Sequence, residues 1–308
     1  MNIKFLSKLN VKGKAASGIY TVIIYVLLIN LAFIFLYPFI FMLVTSFKSY
    51  NDLMDVTVKW YPKEFTPSNW VTAIKALNFK TTFFNSLFVT TVSTLGHIVS
   101  CSFIAYGFAR YKFPLKKVLF AAVLLTIIVP IQTVIVPQYI LYSNLGWIGS
   151  YNALIIPTFL GSGLKGGLFI FLFRQFFIQL SPSLEEAAAI DGSNPYMTYL
   201  RIILPSSAPV LLVCFVLSFV WHWNDFFEPS LYITDAKQFL LPQALPQMYE
   251  LLQALEISIS ENELKMKEIF NEAVVMAGTG IAVAPLMVMY LAVQNKFVES
   301  IDKTGLVE

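Results

Sequence analysis

Few residues in this chain have the chemistry to handle a solute or a partner, and they fall in four places. Trp221-His222-Trp223-Asn224-Asp225 sets aromatic faces beside an amide and a carboxylate. Such rings stack on the C–H faces of sugars while the polar groups bind hydroxyls, so the run suits a sugar gate. An aromatic belt at a membrane–water interface has the same composition, and both readings are open here. Lys165 lies in Gly161-Ser-Gly-Leu-Lys-Gly-Gly167, within an apolar stretch. A charge at mid-bilayer costs at least ~2.5–3.5 kcal/mol and so faces a cavity or a partner; alternatively the span begins near Gly166 and Lys165 snorkels outside it. His97, near Ser93 and Ser100, either lines a pathway or makes a hydrogen bond between helices. The fourth place is the polar segment Ser183–Pro205, with Glu185, Glu186 and Asp191.

Reaction chemistry has little to work with. No nucleophile–base set and no His/Asp/Glu group of metal-ligand spacing occurs, so no catalytic residue and no metal site are expected. Cys101 and Cys214 sit singly in apolar stretches and read as small hydrophobes. Gly161–Gly167 lacks the G-x-x-x-x-G-K-[ST] spacing of a phosphate loop. Gly278-Thr-Gly280 reads as a close helix contact and not as a dinucleotide motif.

The elements that must position these residues are membrane helices. Of the 308 residues 57% are hydrophobic and 13% charged, and the mean hydropathy is +0.70. Soluble domains sit nearer 45–50% apolar and about 25% charged, so a single aqueous core cannot hold this chain. Net charge is only +3 with no basic run, which argues against nucleic acid. Six apolar stretches are long enough to span: 19–46, 83–108, 117–141, 153–178, 207–227 and 273–297. The first is too long for the apolar region of a cleaved signal peptide. The predicted fold class is an all-α membrane protein with six transmembrane helices and a permease domain over 19–297. Pro38, Pro130, Pro137, Pro157 and Pro285 interrupt the stretches, as in bundles that line a pathway.

Orientation follows from Lys and Arg near the span ends. Lys4, Lys8, Lys12 and Lys14 precede the first span, and Arg110, Lys112, Lys116 and Lys117 follow the second. Both groups belong inside, which makes segment 1–18, tail 298–308 and loop 181–205 cytoplasmic. Lysines in 47–82 run mildly against this. Loop 228–272 then lies outside and is acidic. Its stretch 247–271 (Met248, Leu251, Leu252, Leu255, Ile259) predicts an amphipathic helix.

Segment 183–205 is punctuated as two short helices. Ser183 with Glu186 predicts a capping box. Ala187–Ala189 favour helix, and Gly192 suits the left-handed position that ends one. Asn194 before Pro195 starts a second helix, which Pro205 should stop. A hairpin with small side chains can seat in a groove on another protein, its carboxylates meeting basic residues there.

Glu186-Ala187-Ala188, Gly192, Ile202 and Leu204-Pro205 resemble, at every spacing, the EAA signature of ABC importer permeases. Leu184–Gly192 is similar to the carbohydrate-uptake branch, the family of the smaller maltose-permease subunit. Phe65–Trp70, Asn85–Leu87, Ala105–Arg110 with Phe113, Pro130, Pro137, Leu145-Gly146 and Trp223–Phe226 extend the resemblance over nearly the whole chain. It departs at the C-terminus, where the family's Gly- and Lys-rich tail is missing. The resemblance implies a multi-pass subunit of a bacterial-type inner membrane that is not itself an enzyme. Glu185, Glu186, Ala187, Ala188, Asp191, Gly192, Ile202, Leu204 and Pro205 would dock a separate ATPase carrying the ATP and Mg, leaving this chain without a cofactor. A second related permease and an external solute-binding protein would complete the importer. A permease for an amino acid, peptide or polyol phosphate is the alternative. An ion-coupled carrier fits less well, because Asp225 is the one acidic candidate, at a membrane edge.

Overall fold

Proline and its neighbours decide where the apolar stretches run on and where they break. The computed structural model describes residues 14–257 and 266–304, and no strand occurs among them. Lys4, Lys8, Lys12, Ile259 and the tail beyond Thr304 lie outside the described residues. Helix α1 (Lys14–Ser46) carries Pro38 without a break. Short helices α2 (Tyr50–Met54) and α3 (Ser68–Ala76) lead to α4 (Phe79–Arg110), which has no proline.

The stretch placed at 117–141 is two helices, α5 (Lys116–Ile128) and α6 (Ile131–Asn144), bent by 104°. Val129 between them is extended at φ −68°, ψ 119°, because the ring of Pro130 excludes helical backbone from the residue before it. The stretch placed at 153–178 is also divided. Helix α7 (Asn152–Phe159) and α8 (Gly166–Gln179) flank a turn with left-handed backbone at Gly161, Gly163 and Lys165.

After α8 come α9 (Ser183–Ile190), α10 (Pro195–Thr198), a π turn (Tyr199–Ile203) and α11 (Leu204–Ser206). Helix α12 (Ala208–Asn224) ends three residues before the sequence boundary at 227. Helices α13 (Phe227–Tyr232) and α14 (Leu241–Ile257) precede the long α15 (Glu272–Thr304). The amphipathic helix expected from 247 begins earlier, at Leu241, since Leu241, Ala244 and Met248 already form a buried i, i+3, i+7 stripe. By length and composition, Tyr20–Ser46, Phe79–Arg110 and Met266–Glu299 can each cross a bilayer, and three bent helix pairs meet the same requirement together.

The chain divides into two units: Met1–Thr72 with Ser258–Gly280, and Ala73–Ile257 with Ile281–Glu308. In the first, Phe65–Trp70 folds over the end of α1. Phe47 stacks on Phe65 and Trp70 at 4.7 and 5.5 Å. Buried Asn69 donates from Nδ2 to the carbonyls of Ser46 and Lys48.

The second unit is built around α4, which packs against α8, α7 and α12. Its buried face is mostly small or polar, with Ser86, Thr90, Ser93, Thr94, Gly96, Cys101, Ser102 and Ala105 beside the larger Val89, His97, Tyr106 and Phe108. Apolar surface gains little by leaving lipid, so close approach of small residues and dispersion hold such helices together. Opposite it, α8 presents Phe169, Phe173 and Phe177 at four-residue spacing, each fully buried. Both cysteines are free and buried in this cluster. At the other end of α4, Asn85 donates to the carbonyls of Lys237 and Phe239, and Ser86 Oγ accepts from Leu241 N–H at 2.7 Å. This pair lies one to two turns inside α4 and pins the segment leading to α14.

Candidate functional site

The loop from Ser183 to Pro205 is shaped by local rules, with two departures from expectation. Gly192 sits at φ +77°. Ser193 N–H reaches the Ala188 carbonyl at 2.9 Å and Gly192 N–H the Ala189 carbonyl at 3.1 Å. These two bonds are a Schellman motif, which satisfies the last carbonyls of α9. Asn194 Oδ1 accepts from Met197 N–H at 2.9 Å, with Pro195 at the first turn of α10.

The capping box does not form. Pro182 is already helical at φ −57° and takes the cap position, its carbonyl accepting from Glu185 and Glu186 N–H. Ser183 is thus one residue too deep to cap and pairs with Ser181 instead. Nor does Pro205 stop the second helix, which runs through a π turn and Pro205 to Ser206. The chain turns at Ser207 instead, where α12 departs at 79°.

Burial sorts the docking candidates by face. Glu186, Ala187, Asp191, Gly192 and Pro205 are exposed, Ile202 and Leu204 are half-buried, and Ala188 is buried. Glu185 turns into the fold, its Oε1 lying 3.2 Å from Nε of Arg110. Two residues missed from the sequence stand outward: Ile190 is 86% exposed and Tyr196 69%. The signal was present, an aliphatic residue closing a polar loop helix just before a glycine turn.

The pathway candidates separate. His97 is fully buried in α4. Its Nε2 lies 2.9 Å from the carbonyl oxygen of Ser162, in the turn between α7 and α8. A carbonyl only accepts, so Nε2 carries the proton. The single lone pair of Nδ1 then faces two groups on α12, Ser218 Oγ at 3.2 Å and His222 Nε2 at 3.3 Å. His97 thereby joins α4, the α7–α8 turn and α12, which favours the interhelical reading. His222, spelled out in the aromatic run, was missed as its partner.

Phe169 bridges His97 and half-buried Trp221 at ring distances of 5.0 and 5.6 Å. Trp223 is 2% exposed and donates from Nε1 to the Ala282 carbonyl. Asn224 is exposed and edges a cavity of about 280 Å³ with Trp223, Phe226, Pro242, Pro246 and Tyr249. Asp225, one residue before the cap of α13, accepts from Phe227 N–H at Oδ1 at 3.1 Å. Lys165 stands in the turn before α8, left-handed at φ +63°, with its side chain exposed. Among the described residues no group of three His, Cys, Asp or Glu could hold a metal.

Residues 98–303, about two thirds of the chain and including the whole loop, match the family described as binding-protein-dependent transport system inner membrane component. The chain belongs to this permease family. The permease is 32% identical over 213 residues to a probable ABC transporter permease protein of Pyrococcus horikoshii, covering 68% of this chain and 76% of that one. It is 28% identical over 273 residues to the probable starch degradation products transport system permease protein of Thermoanaerobacterium thermosulfurigenes, covering 89% and 92%. In fold, the permease superposes with TM-score 0.77 on a chain of a bacterial ABC transporter crystal structure, one involved in import of the acidic polysaccharide alginate. That alignment covers 93% of this chain and 99% of the other, at 21% identity.

Proposed function

We propose that the permease is the membrane-spanning subunit of an ATP-driven importer for a sugar or oligosaccharide delivered by an external binding protein. It spans the membrane six times with both termini cytoplasmic, pairs with a second related permease and binds no cofactor itself. ATP and Mg belong to a separate ATPase, which docks on the loop from Ser183 to Pro205. Binding and hydrolysis there bias the permease between outward- and inward-open states, through contacts that differ between the two.

The observation that carries this reading is the outward face of α9 and its glycine turn. Glu186, Ala187, Ile190 and Gly192 are exposed together with Tyr196 of α10, on a segment the helix signals make rigid. Exposed apolar side chains rimmed by carboxylates suit a groove with basic edges on a partner. The carbohydrate assignment is supported by the Leu184–Gly192 form and by the starch degradation products named for the Thermoanaerobacterium thermosulfurigenes relative. Among the pathway candidates, Lys165 and Asn224 are exposed to a solute, although Asn224 Nδ2 donates to the Val220 carbonyl at 2.9 Å; His97, Trp223 and Asp225 engage their polar groups within the fold.

Ile190→Glu tests the docking face. The side chain it replaces is almost wholly exposed, so the chain should reach the membrane at normal levels but fail to co-purify the ATPase. Normal retention of the ATPase by this variant would overturn the reading.

A further inference from the structure

Elbows bound the loop at both ends, bent by 75° after α8 and 79° before α12. A segment held only by two elbows can swing without moving either span, so something else must fix it if its motion is to reach the pathway. The cytoplasmic end of α4 supplies that support. Arg110, the last residue of α4, donates from Nη2 to the Leu180 carbonyl at 2.7 Å, at the C-terminal end of α8 where a cation is favoured. Its Nε lies 3.2 Å from Glu185 Oε1, in the first turn of α9; the side chains are 12% and 24% exposed. That contact is ionic and not a directed hydrogen bond, since neither atom has an aligned partner.

The turns of α4 before Arg110 hold the other half of the loop. Ser102 Oγ and Tyr199 Oη lie 2.7 Å apart. Tyr106 packs on Tyr199 at 5.1 Å, and Phe103 stacks on Tyr196 at 6.2 Å. One helix face therefore seats both loop helices, and the same helix carries His97, which reaches the broken span and α12.

From this placement we infer that Arg110 is a positioning residue: by gripping the Leu180 carbonyl and the Glu185 carboxylate at once, it makes the docking loop and α4 move as one body. The inference rests on the docking role proposed above and goes beyond it. Glu185 serves the clamp and not the ATPase surface, and the stroke enters the membrane through α4.

The test uses the full importer in proteoliposomes: both permeases, ATPase and binding protein. Two quantities are read, the ATPase retained and the stimulation of ATP hydrolysis by the binding protein. Arg110→Ala and Glu185→Gln should retain the ATPase while stimulation collapses to about one. Arg110→Lys should be intermediate, because one ammonium cannot reproduce the two-sided guanidinium contact. Arg110→Glu combined with Glu185→Arg should not regain the stimulation, because a carboxylate at 110 cannot donate to the Leu180 carbonyl. A merely structural role would lower the amount of assembled complex and leave stimulation per complex unchanged, and that result overturns the clamp. Should Arg110→Ala be lost from the membrane, Glu185→Gln decides alone, since it keeps the side-chain volume and the Leu180 contact. Wild-type stimulation in Glu185→Gln overturns the inference. Ile190→Glu separates the two claims: if it keeps ATPase and stimulation, the docking reading fails and the clamp with it. If it loses the ATPase while Arg110→Ala and Glu185→Gln stay fully stimulated, only the clamp fails.

Discussion

Replacing Gly192 isolates how much of the loop's shape rests on one backbone angle. At φ +77° the residue is left-handed, and a Cβ built there meets nothing within 4 Å. Any cost of a substitution in the isolated permease is therefore conformational and not steric. For an ordinary L-residue that cost is about 1–2 kcal/mol, a factor of roughly 5–30 in the equilibrium between closed and frayed hairpin. Asparagine and aspartate tolerate the left-handed region better, while a β-branched residue tolerates it least. Hydrogen exchange reads this equilibrium directly, through the Ser193 and Gly192 amides bonded to the Ala188 and Ala189 carbonyls. In the permease alone, Gly192→Ala should speed exchange of these amides by roughly 5–30-fold. Gly192→Asn should do so less, and Gly192→Val more. Equal acceleration by Asn and Ala, or none by Ala, would refute the assignment of strain to this angle.

Two further outcomes follow from the packing. A Cβ on Gly96 would collide with Thr158 Oγ1 and come within 2.9 Å of the Phe159 ring, so Gly96→Ala should lower the melting temperature in detergent, by overpacking worth about 1–3 kcal/mol; adding Thr158→Ala should recover part of the loss. The Glu228 carboxyl is pushed up from 4.5 to about 8, first by burial and then by the Asp225 charge. An acid whose folded value is raised favours the protonated fold, so stability should fall as pH rises from below 4.5 through about 8. Glu228→Gln should flatten that decline; melting curves of both proteins across this range check it, and parallel curves would show that the burial cost is not felt.

The segment from Ser183 to Pro205 was largely readable because its signals are local. Gly192, Asn194 and Pro195 act through bonds spanning three to five residues, and the structure contains each of them. The capping box was misread because the neighbouring Pro182 competes for the cap, and the π turn before Pro205 has no sequence marker. The breaks within 117–141 and 153–178 were visible as proline and glycine. Composition alone could not say that they would end helices and not merely bend them, as Pro38 shows in α1.

By itself, then, the sequence determined the membrane class, the spacing from Glu186 to Pro205 that resembles the family's signature, and the glycine turn that shapes the loop from Ser183 to Pro205. Tertiary structure decided which way the loop's side chains face. Glu185 and Glu186 are adjacent and chemically alike, yet one turns to Arg110 and the other to water. His97 finds Ser162 and His222 across 65 and 125 residues. Helical periodicity says which residues share a face, but only the packed neighbour says what that face meets.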